Sequence, residues 1–291
     1  MYIKKLIIFI SSFWLFVSMG TVYSQVSDDS KKLADDAVKV ADSDFPGRKT
    51  YSHVSTISRQ DLHSEYDDVV IVDARSPYEY ETLRILSAVN IPLSLGNSDF
   101  TRQVQALRAE NPDKKIVFYC NGHTCMKSYK AATRAKLIAK VENVHAFDAG
   151  IFDWTNAYPD KAILLGETPV DTSKLISKSD YKKHVLPALD FIKQATTDSV
   201  ILDVRSRHQR EGFYVFSGFE ELIEMENKKK LKHFIKKAKA ENKKVYIYDA
   251  VGKQVRWLQY YLETLEPGPY YFMEGGAMAF FDIPQEKLID N

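Results

Sequence analysis

The chain has 291 residues, 45% hydrophobic and 27% charged, which gives enough apolar material for two cores and excludes a wholly disordered chain. Lys and Arg number 40 against 39 Asp and Glu, a formal charge of +1. That balance excludes the strongly basic surface of a nucleic-acid binder and gives no steering toward acidic membranes. The two cysteines, Cys120 and Cys125, fall in one short stretch, which excludes a scaffold stapled by disulfides across the fold.

Taken in order, residues 1–24 have the plan of a signal peptide. Lys4 and Lys5 precede an apolar run from Leu6 to Met19, and Val22 and Ser24 occupy the two small-residue recognition positions. Cleavage is expected after Ser24, giving a periplasmic or secreted protein that meets the membrane only through this segment; the competing reading is an uncleaved anchor. No cysteine follows to take a lipid. Residues 25–48 form a polar arm, in which Leu33, Ala37, Val38 and Ala41 suit one face of a short helix or belong to an extended linker.

A first domain is expected over 49–165. Val69–Asp73 is a continuous apolar run suited to a buried parallel strand. Pro77 opens a short acidic turn or helix, Tyr78–Leu83. Ala88–Pro92 reads as a short strand, Asp99–Ala109 as a helix with Val104 and Leu107 on one side, and Ile116–Tyr119 as a strand. Ser128–Ala139 reads as a helix carrying Ala131, Ala132, Ala135 and Ile138, followed by a strand at Val144–Phe147 and a helix from Gly150 that Tyr158-Pro159 stops. Alternating strands and helices imply an α/β fold with a mainly parallel sheet, whose ligands bind beyond the carboxyl ends of the strands. Cys120 lies at such an end.

After a mixed-polarity linker, a second domain over 174–291 repeats these features. Ser199–Ser206 repeats Val70–Ser76, Lys244–Asp249 repeats Ile116–Cys120, and Met273–Phe280 repeats Phe147–Trp154. The order is preserved although the spacing is not, which reads as duplication of a whole domain. Asp249 then stands where the first copy has Cys120. The stretch Asn227–Lys244 holds nine lysines and reads as a solvated amphipathic helix, with Leu231, Phe234, Ile235 and Ala238 inward.

Asp73-x-Arg75-Ser-Pro-x-Glu-Tyr-Glu81, Ala88–Pro92, Tyr119-Cys-x-Gly122, Ala149–Trp154 and Tyr158-Pro159, in this order, resemble the rhodanese family of sulfurtransferases. The second domain resembles a degenerate copy through Asp203, Arg205, Gly275 and Gly276. The resemblance implies two rhodanese-like α/β domains, an active type followed by a degenerate one. It also implies that Cys120 takes a sulfane sulfur from a small donor (thiosulfate, polysulfide or persulfide), holds it as a persulfide and passes it to a thiol or protein acceptor. No cofactor is implied. The chain departs from the family pattern at Leu83-Arg84, in the length of the loop after Cys120, and in having Cys125 there.

Read from the residues alone, Cys120 is either a reactive thiol or a buried structural cysteine that packs as a small hydrophobe. A thiol at a strand end, before a loop and a helix N-terminus, faces amides that favour negative charge, and such a cysteine is expected to ionise more readily than a free one. Amides of Asn121, Gly122, His123, Thr124, Cys125 and Met126 can form an anion nest, with Gly122 permitting the turn. Lys127 or Arg84 can meet an anionic donor, although a solvated lysine is the ordinary reading for Lys127. His123 can position the donor or simply face solvent. Asp73 and Arg75 are expected to form a buried pair under the loop rather than to act in chemistry. Cys125 is a candidate resolving thiol, a guard against over-oxidation, or a packed free thiol. Cys120, His123 and Cys125 lack a fourth ligand and the usual zinc spacing, so no metal is expected.

Other functions remain open to the sequence: a thiol–disulfide enzyme using Cys120 and Cys125, or a partner-binding protein that kept the fold and docks through its second domain. A phosphatase of related loop needs an arginine where this chain has Met126.

Overall fold

The structure is a computed structural model that describes residues 44–289. The signal-type segment and the arm up to residue 43 lie outside the described residues. Gly47–Asn291 groups as one unit, and both sheets belong to it.

The first half carries β1 (Ser55–Thr56), β2 (Val69–Asp73), β3 (Leu83–Ile85), β4 (Val89–Asn90), β5 (Lys115–Tyr119), β6 (Val144–Phe147) and β7 (Ala162–Leu164). Five of these form an all-parallel sheet in the order β1-β6-β5-β2-β4. β3 and β7 pair antiparallel as a separate ribbon. The central strands read as unbroken apolar runs because helices cover both faces; Ile116, Val117, Phe118 and Tyr119 are all fully buried. Helix Asn97–Glu110 brings Phe100 and Val104 to this core, and helix Lys127–Leu137 brings Ala131, Ala132 and Ala135. Their small side chains let the helix lie close to the sheet. Truncating Phe118 to Ala here would cost about 3–5 kcal/mol. The helix ends at Leu137, short of the expected Ala139, and Ile138 beyond it is exposed.

The second half carries β8 (Val185–Leu186), β9 (Val200–Asp203), β10 (Glu221–Leu222), β11 (Val245–Tyr248) and β12 (Tyr270–Met273). These form another all-parallel sheet in the order β10-β9-β11-β12-β8. Read from its first strand, this is the order of the first sheet, strand for strand. The register agrees too: Tyr119 lies opposite Asp73, and Tyr248 opposite Asp203. Cys120 and Asp249 are the next residues. The molecule is thus α/β, with two five-stranded parallel sheets flanked by helices.

The lysine-rich helix spans Lys228–Ala240 and buries Leu231, Ile235 and Ala238, with Phe234 only half-buried. The segment matching helix Gly150–Ala157 is less regular in the second half, a 3-10 turn over Gly276–Asp282. Helix Val255–Glu263 of the second half packs against helix Pro77–Thr82 of the first. Among the described residues, no helix is long and apolar enough to cross a membrane.

Candidate active site

Cys120 follows β5 directly and is only 1% exposed. Its carbonyl accepts from the Ile151 N–H at 2.9 Å, which ties the strand end to the start of helix Gly150–Ala157. A disulfide joins Cys120 to Cys125, with Cα atoms 6.4 Å apart. The Cys120 sulfur lies 3.2 Å from the Cys125 carbonyl oxygen and 3.9 Å from Ser128 Oγ. A bonded sulfur has no proton to give, so Ser128, which is fully buried, is the group able to donate in this state.

The rest of the loop is half-buried except Thr124, which is exposed. The Cys125 N–H donates to the Gly122 carbonyl at 2.8 Å, closing the turn. Gly122 has an ordinary backbone angle, and a Cβ there would make only a van der Waals contact with the Ala149 carbonyl at 3.5 Å. The turn therefore does not depend on Gly122. The glycine it needs is Gly150, at φ +76°, where a Cβ would sit 2.4 Å from the Gly122 nitrogen. Met126 is the residue preceding helix Lys127–Leu137 and caps it with no side-chain bond. His123 lines the cleft beside the loop.

Lys127 is not placed as a free anion receptor. Its Nζ lies 3.2 Å from Oε2 of Glu79, a carboxylate only 2% exposed. Asn121 Nδ2 donates to the other Glu79 oxygen at 3.1 Å, and Asn121 Oδ1 accepts from Arg75 Nη1 at 3.2 Å. Burial opposes charge on Glu79, but Arg75, Lys127, the Ser76 N–H and Asn121 outweigh it and hold its pKa down at about 2. Glu79 is thus the anchor on which the loop rests. The Ser76-x-x-Glu79 spacing marks it as a capping box, and both reciprocal bonds are formed. That motif was readable in the sequence; the carboxylate's second role under the loop was not. Arg84 turns to Tyr80 and Glu81, away from the loop's partners.

Asp73 and Arg75 are both fully buried and joined at 2.6 Å. Arg75 also donates to the Leu83 carbonyl at 2.5 Å and lies 5.5 Å from the Tyr119 ring centroid. Through its bond to Asn121, Arg75 links this buried pair to the loop. Asp203 and Arg205 repeat the pair: 2.8 Å between the charged atoms, 2.8 Å to the Phe213 carbonyl and 5.6 Å to the Tyr248 ring.

The second loop holds Asp249. Its carboxylate accepts from four backbone N–H groups: Val251 at 3.1 Å, Gly252, Gln254 at 2.5 Å and Val255 at 3.2 Å. Gly276, at φ +61°, crowds this loop as Gly150 crowds the first. The strand-end loop of the second sheet therefore forms an anion nest, filled by its own side chain. Among the described residues, no group of three or more His, Cys, Asp or Glu side chains is placed to hold a metal ion.

Residues 58–157 match the family model of the rhodanese-like domain, and this stretch contains β2, β5, β6 and the Cys120 loop. A tRNA uridine(34) hydroxylase of Salmonella newport is 42% identical over 55 residues, which is 19% of this chain and 15% of that protein. The chain therefore spans only a small part of the curated relatives it matches. A thiosulfate sulfurtransferase from Pseudomonas aeruginosa shares 16% identity and a TM-score of 0.32, covering 81% of this chain and 47% of its own. A human single-domain sulfurtransferase shares 21% identity and a TM-score of 0.28, covering 35% of this chain and 96% of its own. Likenesses at these scores carry no argument. Residues 58–157 are thus assigned to a rhodanese-like domain.

Proposed function

We propose that the protein is a sulfurtransferase whose first domain carries sulfur on Cys120, and that the second domain is a degenerate copy. The observation that carries this reading is the pair of equivalent loops. The same strand end, glycine contact and helix start hold a carboxylate in one copy and a sulfur in the other, so the scaffold favours a negative group at that place.

The transfer would run in two steps. The Cys120 thiolate attacks the outer sulfur of thiosulfate; the S–S bond of the donor breaks, and sulfite leaves with the bonding electron pair. The product is a persulfide whose terminal sulfur carries the charge. A nucleophilic acceptor then takes that sulfur and returns Cys120 as thiolate; with cyanide the product is thiocyanate. Loop amides equivalent to those on Asp249 would stabilise the persulfide anion. Lys127, neutralised by Glu79, supports the loop instead of binding the donor.

The Cys120–Cys125 disulfide is a closed state in this scheme. Opening it takes two electrons and two protons, supplied by a pair of external thiols that leave as their own disulfide. Cys125 then shields Cys120 from over-oxidation between turnovers. The test is thiocyanate production from thiosulfate and cyanide by the protein pre-reduced with a dithiol. Activity is expected in the pre-reduced chain and absent in Cys120→Ser. Equal rates in both would remove Cys120 from the reaction.

A further inference from the structure

A cleft of about 540 Å³ lies beside the Cys120 loop, lined by Asn121, Gly122 and His123 on one side and by Phe152 of helix Gly150–Ala157. The second domain contributes Ser177, the exposed Lys178 and Arg256 to it. The charges there are unequal. Asp153, the acidic residue of the cleft, is already paired with Arg59 at 2.9 Å. Arg256 has no carboxylate within ion-pair distance among the described residues. Its guanidinium lies 5.0 Å from the Phe152 ring centroid, and its buried Nε has no hydrogen-bond partner. That Nε is closed to solvent, whereas the residue as a whole is only half-buried, so an anion entering the cleft would meet the terminal guanidinium nitrogens, which form no ion pair among the described residues.

The cleft is held open by contacts between the two halves. Phe152 stacks on Trp257 at 5.6 Å, Arg75 lies 5.0 Å from the Trp257 ring, and Ser76 Oγ donates to Gln254 Oε1 at 3.1 Å. These fix the start of helix Val255–Glu263, and with it Arg256, against the first domain. The domain without a cysteine therefore supplies the cleft with a cation that the catalytic-type domain does not: Lys127 is paired to Glu79 and Arg59 to Asp153.

We propose that Arg256 is the anion-recognising residue of the site, and that the sulfur donor is an anion whose negative group enters this cleft with its sulfane sulfur toward the Cys120 loop. This deepens the sulfurtransfer reading and rests on it for the identity of the ligand. Phe152 holds the guanidinium plane, which explains why an arginine suits the position better than a lysine.

The test separates the binding from the transfer. Thiosulfate is titrated calorimetrically into the full chain carrying Cys120→Ser, which cannot turn over, with and without Arg256→Gln. Loss of one charge-assisted contact predicts that the Kd rises roughly 10-fold or more in Arg256→Gln, with Arg256→Lys in between. In the reduced protein with Cys120 intact, Arg256→Gln raises KM for thiosulfate, leaves kcat nearly unchanged, and leaves KM for the uncharged donor bis(2-hydroxyethyl) trisulfide unchanged. A merely structural role would affect both donors alike. Equal thiosulfate affinity with and without Arg256, or no measurable binding in the Cys120→Ser chain, overturns the proposal. Thiosulfate binding that depends on Arg256, together with no sulfur loading of Cys120 from either donor, would keep the anion site and sink the sulfurtransfer reading alone.

Discussion

Asp249 and Cys120 occupy the same place in two copies of one sheet topology. Each follows a tyrosine that lies opposite an aspartate of the neighbouring strand, and each carbonyl accepts from the second residue of a glycine-led segment, Ile151 at 2.9 Å and Ala277 at 2.8 Å. The carboxylate of Asp249 gathers four backbone donors. Removing it leaves those donors short of an acceptor. Asp249→Ala is expected to destabilise the protein by about 2–4 kcal/mol, measured by urea unfolding, with sulfur loading of Cys120 unchanged. A neutral effect on stability would mean that solvent replaces the carboxylate without cost.

Gly150 and Gly276 allow a comparison between the copies. Both have positive φ, and a Cβ on either would lie within 2.6 Å of loop backbone atoms. Gly150→Ala and Gly276→Ala should each destabilise the fold by more than about 2 kcal/mol, because strain and overlap add. Only Gly150→Ala should lower the rate of thiocyanate formation per folded molecule. Equal losses of rate in the two variants would tie the second loop to the chemistry.

Glu79 gives a pH dependence with a definite sign. Its folded pKa, about 2, lies below the ordinary 4.5, so the ionised carboxylate stabilises the native state fully above about pH 4.5. That stability, about 3 kcal/mol, is lost as the pH falls toward 2. Glu79→Gln should therefore be less stable than the unsubstituted chain at neutral pH by about 2–3 kcal/mol, and the gap should close across the acid window. Urea midpoints followed from about pH 6 to about pH 2 check this; a gap that stays constant would contradict the assigned charge.

A disulfide joins Cys120 to Cys125, and under the proposed sulfurtransfer it closes the site. The unsubstituted chain should require a thiol reductant before it accepts sulfur, whereas Cys125→Ser should load without one and over-oxidise faster under peroxide. Mass spectra of both chains after thiosulfate, with and without reductant, read this out. Equal loading of the two without reductant would mean that the disulfide does not close the site.

What the sequence disclosed follows from where each signal resides. Val69–Asp73 and Ile116–Tyr119 announce themselves because strands covered on both faces must be apolar throughout. The repeat of Asp73-x-Arg75 as Asp203-x-Arg205 exposes the second sheet because a buried ion pair needs both partners together. The two-residue strands β1 and β8 are too short to carry a period, and the antiparallel β3–β7 ribbon joins segments far apart in the chain. The same distance hides much of the site. Lys127 reads as a solvated lysine, or as an anion receptor, until the fold brings Glu79 beneath it, 48 residues earlier in sequence. Gly122 draws attention because it follows the cysteine, yet Gly150 is the residue the turn requires. Arg256 carries no motif at all; its place beside the loop is set by packing between the two halves.

Intact-mass spectrometry of the reduced protein after treatment with thiosulfate tests the central claim most directly. The account predicts a gain of one sulfur atom, located on Cys120, reversed by cyanide and absent in Cys120→Ser. A reduced chain that stays at its original mass with every sulfane donor would contradict it.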